Sequence, residues 1–265
     1  MITTNSEVRR YVDPLRALRH GLTLAWRSLV KTRKNPESLL DVTVQPVLFM
    51  VIFVFLLGGA ISGSWHDYLQ FVLPGLMMQN VMMASLGTGI SLNTDITKGV
   101  FDRFRSLPIA RSAPLVGAVL GDVVRYVVAL GILIVFAVIL GFRVHTDPLS
   151  FVAAFGLMVG FGLCMCWISV LVGMLVTSTA VQGVLIPIVL LLTFGSNVFA
   201  PVSTMPGWLQ TWVNINPVSK LVEATRGLLL GGPVAGPLLT GLVWMVGIVA
   251  VFFPLAVRAY GRRAG

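Results

Sequence analysis

The stretch VTVQPVLFMVIFVFLLGGAI, residues 42–61, decides the fold. It contains no charged side chain. A helix rises about 1.5 Å per residue, so a helix of this length matches the roughly 30 Å thickness of the hydrocarbon core of a bilayer. The sequence therefore predicts a transmembrane helix here.

Five further stretches pass the same test of length and polarity, at residues 71–92, 115–142, 149–176, 181–200 and 238–257. Across the chain 56% of the residues are hydrophobic and 11% are charged, whereas an ordinary soluble domain has about 25% charged residues. We predict an all-α integral membrane protein with six transmembrane helices. The predicted domains are an N-terminal arm (1–41), a six-helix transmembrane domain (42–257) and a C-terminal tail (258–265).

The distribution of lysine and arginine predicts the orientation. Residues 1–41 hold eight of the 19, the loop after the second span holds four and the tail holds three. With six crossings these groups lie on one side, which the positive-inside rule makes the cytosol, so both termini are predicted to be cytosolic. The net charge of +9 is then expected to meet lipids of the cell's inner membrane rather than nucleic acid. The first apolar run is long enough to remain as a span, so no cleavable signal peptide is expected.

The N-terminal arm has the pattern of an amphipathic helix. Asp13 and Pro14 make a typical helix start, and Pro36 closes the element. The apolar side chains at three- and four-residue steps are Leu15, Leu18, Leu22, Ala25, Trp26, Leu29 and Val30, and basic side chains occupy the remainder. We predict that the apolar stripe enters the acyl boundary of the membrane. A soluble helix packed on a protein partner is the alternative.

The cytosolic loop 93–113 is predicted to contain a short helix with an aromatic face. Phe101, Phe104 and Leu107 are three residues apart and would share one face before Pro108 ends the element. The charged residues around this face are Lys98, Asp102, Arg103 and Arg105. An exposed aromatic stripe needs a cover. Lipid is one such cover, and a protein partner that uses the aromatic rings as anchors is the other.

The segment 201–237 is too polar and too rich in proline to cross the bilayer. Pro201 opens it, and Trp208 and Trp212 are typical of a membrane interface. Asn216, followed by proline, predicts the start of a short helix over 218–230. The residues of that helix with the i,i+3 spacing of exposed ion pairs are Lys220, Glu223 and Arg226.

Ionisable and amide side chains inside the predicted spans are few. Asp122 and Arg125 lie three residues apart in the third span. We interpret them as an interfacial pair in which Arg125 reaches the headgroups, and a buried charge pair on a transport path is the alternative. The amides that are candidates for lining a pathway are Gln45, Gln79, Asn80 and Asn197. Hydrogen bonding between helices is the commoner use of such amides.

The second span combines adaptable and small residues. Met77, Met78, Met82 and Met83 suit either a variable apolar substrate or plain packing. The run Gly87-Thr88-Gly89 leads to no strand and helix of a nucleotide site, so it predicts a place where helices pack closely.

Common catalytic signatures are absent from the sequence. No glycine-rich loop followed by Lys-Ser or Lys-Thr is present to hold nucleotide phosphates, and there is no Gly-x-Ser-x-Gly motif. The three histidines are scattered, and Cys164 and Cys166 point in different directions from an apolar helix. We therefore expect no enzyme activity, cofactor or metal on this chain.

Longer motifs resemble the ABC-2 type permeases, and within them the daunorubicin-resistance branch. The motifs are Phe71-Val72-Leu73-Pro74-Gly75, Lys98-Gly99, Asp102-Arg103-Phe104-Arg105-Ser106-Leu107-Pro108, Gly141-Phe142-Arg143, Asn197-Val198-Phe199-Ala200-Pro201, Met205-Pro206-Gly207-Trp208-Leu209 and Asn216-Pro217. The resemblance runs from the first span to the C-terminus. It implies the membrane subunit of an exporter that works as a dimer, with two copies of a separate ATPase that binds ATP and magnesium.

The resemblance also implies roles for the parts of the chain. The amphipathic arm would be the connecting helix, and residues 98–107 the coupling helix seated in a groove of the ATPase. The segment 201–237 would form outer re-entrant helices, with an outer gate at Pro201, Trp208, Asn216, Glu223 and Arg226. The first, second and fifth spans would line the pathway.

The expected function is export of an amphiphilic drug, lipid or natural product. One alternative is export of a lipid-linked polysaccharide, which the run 102–108 fits less well. A second is a membrane protein that docks a cytosolic protein without transporting anything. A third, a proton-driven carrier, would be expected to have carboxylates deep in its spans, and among the six predicted spans only the third contains one.

Overall fold

The computed structural model describes residues 36–97 and 113–264. The predicted connecting helix and the predicted coupling residues, Lys98 to Leu107, lie outside these ranges. Within them the chain is all-helical, with eight α-helices and a 3-10 turn at Val202–Thr204. The helices are α1 Pro36–Ser62, α2 Trp65–Thr97, α3 Ala113–Ile139, α4 Pro148–Leu175, α5 Ser178–Phe194, α6 Gly207–Ile215, α7 Pro217–Leu230 and α8 Ala235–Ala264.

Five helices in the described ranges are long and apolar enough to cross a membrane. These stretches are Val44–Ser62, Trp65–Thr94, Gly121–Ile139, Pro148–Leu175 and Ala235–Ala259. The predicted fifth span, 181–200, is wrong at its end, because α5 stops at Phe194 and residues 195–201 are not α-helical. The 17 residues of α5 reach about 25 Å, less than the full hydrocarbon thickness. A sixth crossing stays a prediction.

Helix starts follow their capping residues. Asp147 precedes α4, and its carboxylate accepts hydrogen bonds from the Leu149 and Ser150 N–H groups, both at 3.1 Å, and from the Ser150 hydroxyl at 2.7 Å. These bonds, led by that of the Ser150 hydroxyl, favour the ionised form and lower the pKa of Asp147.

At the C-terminal end of the described residues α8 continues to Ala264, so residues 258–264, predicted as a tail, extend the last helix.

The second helix is the centre of the bundle. It packs against α1, α3, α4, α5 and α7. Met77, Met78 and Met82 are fully buried inside the chain, so their use here is packing. Most of the exposed large apolar side chains lie on α1, α3, α5 and α8, with others on α2, α4 and α6, and such surface is typical of contact with lipid or with another chain.

A close helix crossing joins α2 to α4. A Cβ atom added to Gly89 would overlap the main chain of Ser169, and one added to Gly173 would overlap the carbonyl of Gly89. The Ser169 hydroxyl donates to the Leu86 carbonyl and accepts from the Gly89 N–H, each at 3.0 Å. The amide of Asn93 donates to the carbonyls of Gly173 and Val176 at 2.7 and 2.6 Å. The prediction that the run around Gly89 is a packing site is confirmed.

Candidate functional site

We call the end of the bundle that holds the α1–α2 turn the outer end, following the predicted orientation, and the opposite end the inner end. At the outer end the chain leaves α5 at Gly195 and runs without helix to Pro201. Main-chain carbonyls at the end of a helix have no partner in their own helix. Side chains from α2, from α7 and from the residue that caps α7 bind the carbonyls of this segment, and we call this set of contacts the outer carbonyl clamp. Its donors are Tyr68, Asn216 and Arg226.

Asn216 joins the end of α5 to the start of α7. Its Nδ2 donates to the carbonyls of Leu192 and Gly195, each at 2.8 Å, and its Oδ1 accepts from the Val218 N–H at 2.9 Å. The side chain is almost completely buried. One amide therefore satisfies orphan groups at two helix ends, and it explains why α5 stops where it does.

Asn216→Ala is expected to lower the free energy of unfolding by about 2–3 kcal/mol, because it removes three hydrogen bonds and leaves buried main-chain groups unpaired. Thermal unfolding in mild detergent, followed with a thiol-reactive dye, measures this, since both thiols, Cys164 and Cys166, are buried until the bundle opens. The matched control is Asn214→Ala, on the exposed face of α6, which should leave the transition unchanged. Equal unfolding temperatures for the two variants would contradict the assignment.

Arg226, on α7, is the second donor of the clamp. Its Nε donates to the Phe71 carbonyl at 3.1 Å and its terminal nitrogen to the Asn197 carbonyl at 3.2 Å. The guanidinium carbon also lies 3.9 Å from the centre of the Phe71 ring, within cation–π range. Phe71 belongs to the turn of α2 that Pro74 interrupts. Burial lowers the pKa of Arg226 to about 10, against the opposing effect of Glu223, so the group stays protonated at neutral pH.

Glu223 links the clamp to a second layer of polar contacts. Its Oε1 accepts from Asn197 Nδ2 at 2.8 Å, and its Oε2 pairs with Lys220 Nζ at 3.1 Å. The side chains of Lys220 and Glu223 are 19% and 27% exposed. The expected series of exposed i,i+3 pairs is therefore half right: Lys220 pairs with Glu223, whereas Arg226 turns to main-chain carbonyls.

Tyr68 completes the clamp from the first turn of α2. Its hydroxyl donates to the Phe199 carbonyl at 2.9 Å, and the residue is fully buried. Gly75, two turns further along α2, lets the segment approach, since a Cβ there would lie 2.8 Å from a Val198 methyl and 3.0 Å from its Cα. The Phe199 ring stacks on Phe53 of α1, with ring centres 4.6 Å apart. The segment is thus held against α2 by side chains and by direct main-chain contact.

The far end of α7 is held as well. The His145 N–H donates to the Leu229 carbonyl at 3.0 Å, and the Thr146 hydroxyl donates to the Leu228 carbonyl at 2.6 Å. Beside this end lies an open cavity of about 240 Å³, lined by Glu223, Arg226, Gly227, Gly231, Gly232, Pro233 and Pro237. The helix α7 is therefore fixed at both ends, and the charged side chains of Glu223 and Arg226 lie on the wall of this open cavity.

A second polar network lies toward the inner end, and we call it the inner strap. Asp122 of α3 accepts from the Thr88 hydroxyl of α2 and pairs with Arg125 at 2.8 Å. The Cys166 thiol of α4 lies 3.6 Å from the same carboxylate. Arg125 also donates to the Ala84 carbonyl of α2. Asp122 is only 6% exposed, because α2 and α4 supply its partners, so the pair is buried within the chain on the Asp122 side, and its depth in the membrane stays a prediction.

The structure brings together only part of the predicted site. Asn197, Asn216, Glu223 and Arg226 meet in and around the outer clamp. The remaining predicted positions are Pro201, partly buried before the 3-10 turn, Trp208, 75% exposed on α6, Gln45, exposed on α1, Gln79, buried on α2, and Asn80, partly buried on α2. Asn197 has the commoner use of a buried amide, a hydrogen bond between elements. That any of these amides lines a pathway stays a prediction.

Tyr68, Thr88 and Ser169 were missed as functional candidates. Each is a hydroxyl in an apolar helix, and each donates to a different element. A polar group that faces lipid is costly, so the hydroxyls of Thr88 and Ser169, which lie within predicted spans, are a signal for an interhelical bond. Tyr68 precedes the predicted span 71–92 and gives no such signal. For Thr88 and Ser169 the sequence then indicates that the hydroxyl forms a hydrogen bond, but it does not indicate which residue accepts it.

The fold and the two networks define a polytopic helical membrane protein whose helices are fastened by polar contacts near both ends. The chain belongs to the ABC-2 type transporter family, since the model of that family matches residues 20–230.

Three curated relatives are similar along most of the chain. A daunorubicin resistance ABC transporter permease protein, DrrB1, of Streptomyces coeruleorubidus is 43% identical over 242 residues, which cover 90% of this chain and 85% of the relative. A doxorubicin resistance permease protein, DrrB, of Mycobacterium tuberculosis is 32% identical, over 78% of each chain. A probable doxorubicin resistance permease protein, DrrC, of the same organism is 28% identical, over 87% of this chain and 84% of the relative.

Proposed function

We propose that this chain is the membrane-spanning subunit of an ATP-driven exporter of amphiphilic molecules. The observation that carries the proposal is the similarity to a drug resistance permease at 43% identity over 90% of the chain. The helical membrane fold and the family match agree with it. In this proposal the chain lies in the cell's inner membrane with both termini in the cytosol.

The energy source in the proposal is a separate ATPase that carries ATP and magnesium. The family match and the relatives' names as ABC transporter permeases support such a partner. The chain itself would then have no catalytic site and no cofactor. Residues 98–107, with Phe101 and Phe104 on one face and Arg103 beside them, would be the docking helix.

Phe104→Asp is expected to abolish ATP-driven transport while leaving membrane insertion intact. The substitution removes an aromatic anchor, and loss of an interface anchor costs about 2 kcal/mol or more of binding free energy. The new carboxylate must also lose its hydration when the helix docks. Uptake into inside-out vesicles that contain both subunits measures the effect. Ser106→Asp, which places the same charge off that face, is the control, and unchanged uptake by Phe104→Asp would contradict the docking role.

A dimer of two identical copies completes the proposal. Exposed large apolar residues on α1 and α5, such as Phe49, Leu56, Ile188 and Leu191, leave broad faces that a second copy and lipid would share. The pathway would lie between the copies. ATP binding would shift the paired halves between inward- and outward-open states by favouring one of them.

The deciding experiment is transport into inside-out vesicles from cells that express the chain with its ATPase. A fluorescent amphiphilic cation is a suitable probe, with ATP, without ATP and with a proton gradient alone. Uptake that depends on ATP and on both subunits supports the exporter. Uptake driven by the proton gradient alone would identify a carrier, and no uptake of the probe or of lipid analogues, despite a stably bound cytosolic protein, would identify a docking protein.

A further inference from the structure

The inner strap joins three helices through one carboxylate. Asp122 of α3 is the acceptor for the Thr88 hydroxyl of α2 and lies beside the Cys166 thiol of α4. Its ion-pair partner Arg125 reaches back to the Ala84 carbonyl of α2. One turn further toward the inner end, Ser169 of α4 both donates to and accepts from the main chain of α2. The inner halves of α2, α3 and α4 are therefore cross-linked by polar bonds.

The first helix is attached to this group in a different way. Between Val44 and Ser62, the part of α1 whose side chains the structure describes, no side chain makes a hydrogen bond or ion pair to another helix. Its contacts are apolar, such as the stacking of Phe53 on Phe199 and the tilted ring contact of Phe55 with Trp65, with ring centres 4.6 and 5.2 Å apart.

The two kinds of contact respond differently to movement. In a bilayer, lipid tails replace an apolar helix contact at little cost, because lipid is as apolar as the side chains. An interhelical hydrogen bond has no such replacement, and a buried ion pair that loses one partner leaves an uncompensated charge. Relative motion is therefore easier between the Val44–Ser62 part of α1 and the rest than among α2, α3 and α4.

We propose that Asp122, with Arg125 and Thr88, is a positioning group that makes the inner halves of α2, α3 and α4 move as one body during transport, so that conformational change is concentrated between this body and α1. The proposal rests on the proposed exporter function. Residues 98–112 connect α2 to α3, so a force delivered there reaches both helices and, through the strap, α4. Breaking the strap would let one helix yield without the others.

Thr88→Val is the sharpest test, because it removes one hydroxyl at constant shape. A single interhelical hydrogen bond in a membrane protein shifts an equilibrium by about threefold. We expect about threefold less substrate transported per ATP hydrolysed, together with faster hydrogen exchange in the inner halves of both α2 and α3. Asp122→Asn should have a larger effect in the same direction. Thr193→Val is the matched control, since the Thr193 hydroxyl is buried but bonds only to Val189 in its own helix.

The results of these experiments distinguish a failure of the proposed positioning role from a failure of the proposed exporter function. If Thr88→Val lowers the amount of folded protein but leaves the transport per ATP of the folded fraction unchanged, the residue is merely structural and the proposal is overturned. If exchange in α2 rises alone, the strap does not join the helices, and the proposal also fails. If the unmodified chain shows no ATP-driven transport, the exporter function fails instead, while hydrogen exchange of the purified chain still decides whether the three helices form one body.

Discussion

Gly89→Ala should destabilise the bundle severely, by about 3 kcal/mol, although it adds a single methyl group. The new Cβ would overlap the Ser169 main chain of α4, and a main chain cannot rotate away as a side chain can. Separating α2 from α4 to make room would also weaken the Gly89–Ser169 hydrogen bond and the approach of Gly173. Overpacking of a tight interior typically costs about 1–3 kcal/mol, and this site has no side-chain freedom to lower that cost.

Gly131→Ala is the matched control for this prediction. A Cβ added to Gly131 in α3 meets no atom within 4 Å, so the same change should be neutral or slightly stabilising, because alanine is the better helix former. Thermal unfolding of purified protein, followed by the reaction of Cys164 and Cys166 with the dye, compares the two variants. Similar unfolding temperatures for both would show that the crossing at Gly89 is looser than described.

Arg226→Leu should open the outer end and abolish transport. The change leaves the Phe71 and Asn197 carbonyls without this donor and removes the cation from the Phe71 ring. Hydrogen bonds from charged donors contribute about 1.5–3 kcal/mol each, so we expect a loss of about 3 kcal/mol in the free energy of unfolding. Thermal unfolding and vesicle uptake measure the two effects.

Two further variants, Arg226→Lys and Lys220→Ala, show which property of Arg226 is responsible for the expected loss of stability. Lysine keeps the charge but lacks the planar fork that bonds two carbonyls at once, so an intermediate loss is expected. Lys220→Ala removes the cation of a partly exposed ion pair, and a change below about 1 kcal/mol is expected. A lysine variant as stable as the original would assign the effect to charge alone and contradict the two-carbonyl geometry.

The membrane spans were predictable because their signal is local. A run of apolar residues and its capping residues lie together in the sequence, and the predicted fourth span, 149–176, differs from α4, Pro148–Leu175, by one residue at each end. The fifth span failed for the opposite reason. The apolar run continues past Phe194, but the helix stops because Asn216, more than twenty residues away, takes the carbonyls of Leu192 and Gly195.

The candidate site was predictable in its residues but not in its partners. The spacing of Asp122 and Arg125 correctly predicts that they pair. Their burial depends on Thr88 and Cys166, which belong to other helices, and sequence spacing does not reveal which faces of two helices meet. Arg226 shows the same limit, because a neighbouring Glu223 on the helix predicted an ion pair while the folded chain offered carbonyls instead.

The outer clamp binds carbonyl oxygens, and every residue type supplies that atom. Tyr68, Asn216 and Arg226 hold the segment through the backbone of Leu192, Gly195, Asn197 and Phe199. The hydrogen bonds of the clamp itself therefore do not depend on the side chains of Leu192, Asn197 and Phe199, whereas Gly195 is fixed, because a Cβ there would lie 2.6 Å from the Leu191 carbonyl oxygen and from the Trp212 ring nitrogen. Phe199→Leu would remove the stacking of this buried ring on Phe53 and Phe194 while leaving the hydrogen bond from Tyr68 to the residue 199 carbonyl in place. Such an anchor makes the position of the segment depend more on the three residues that bind its backbone than on the segment's own side chains.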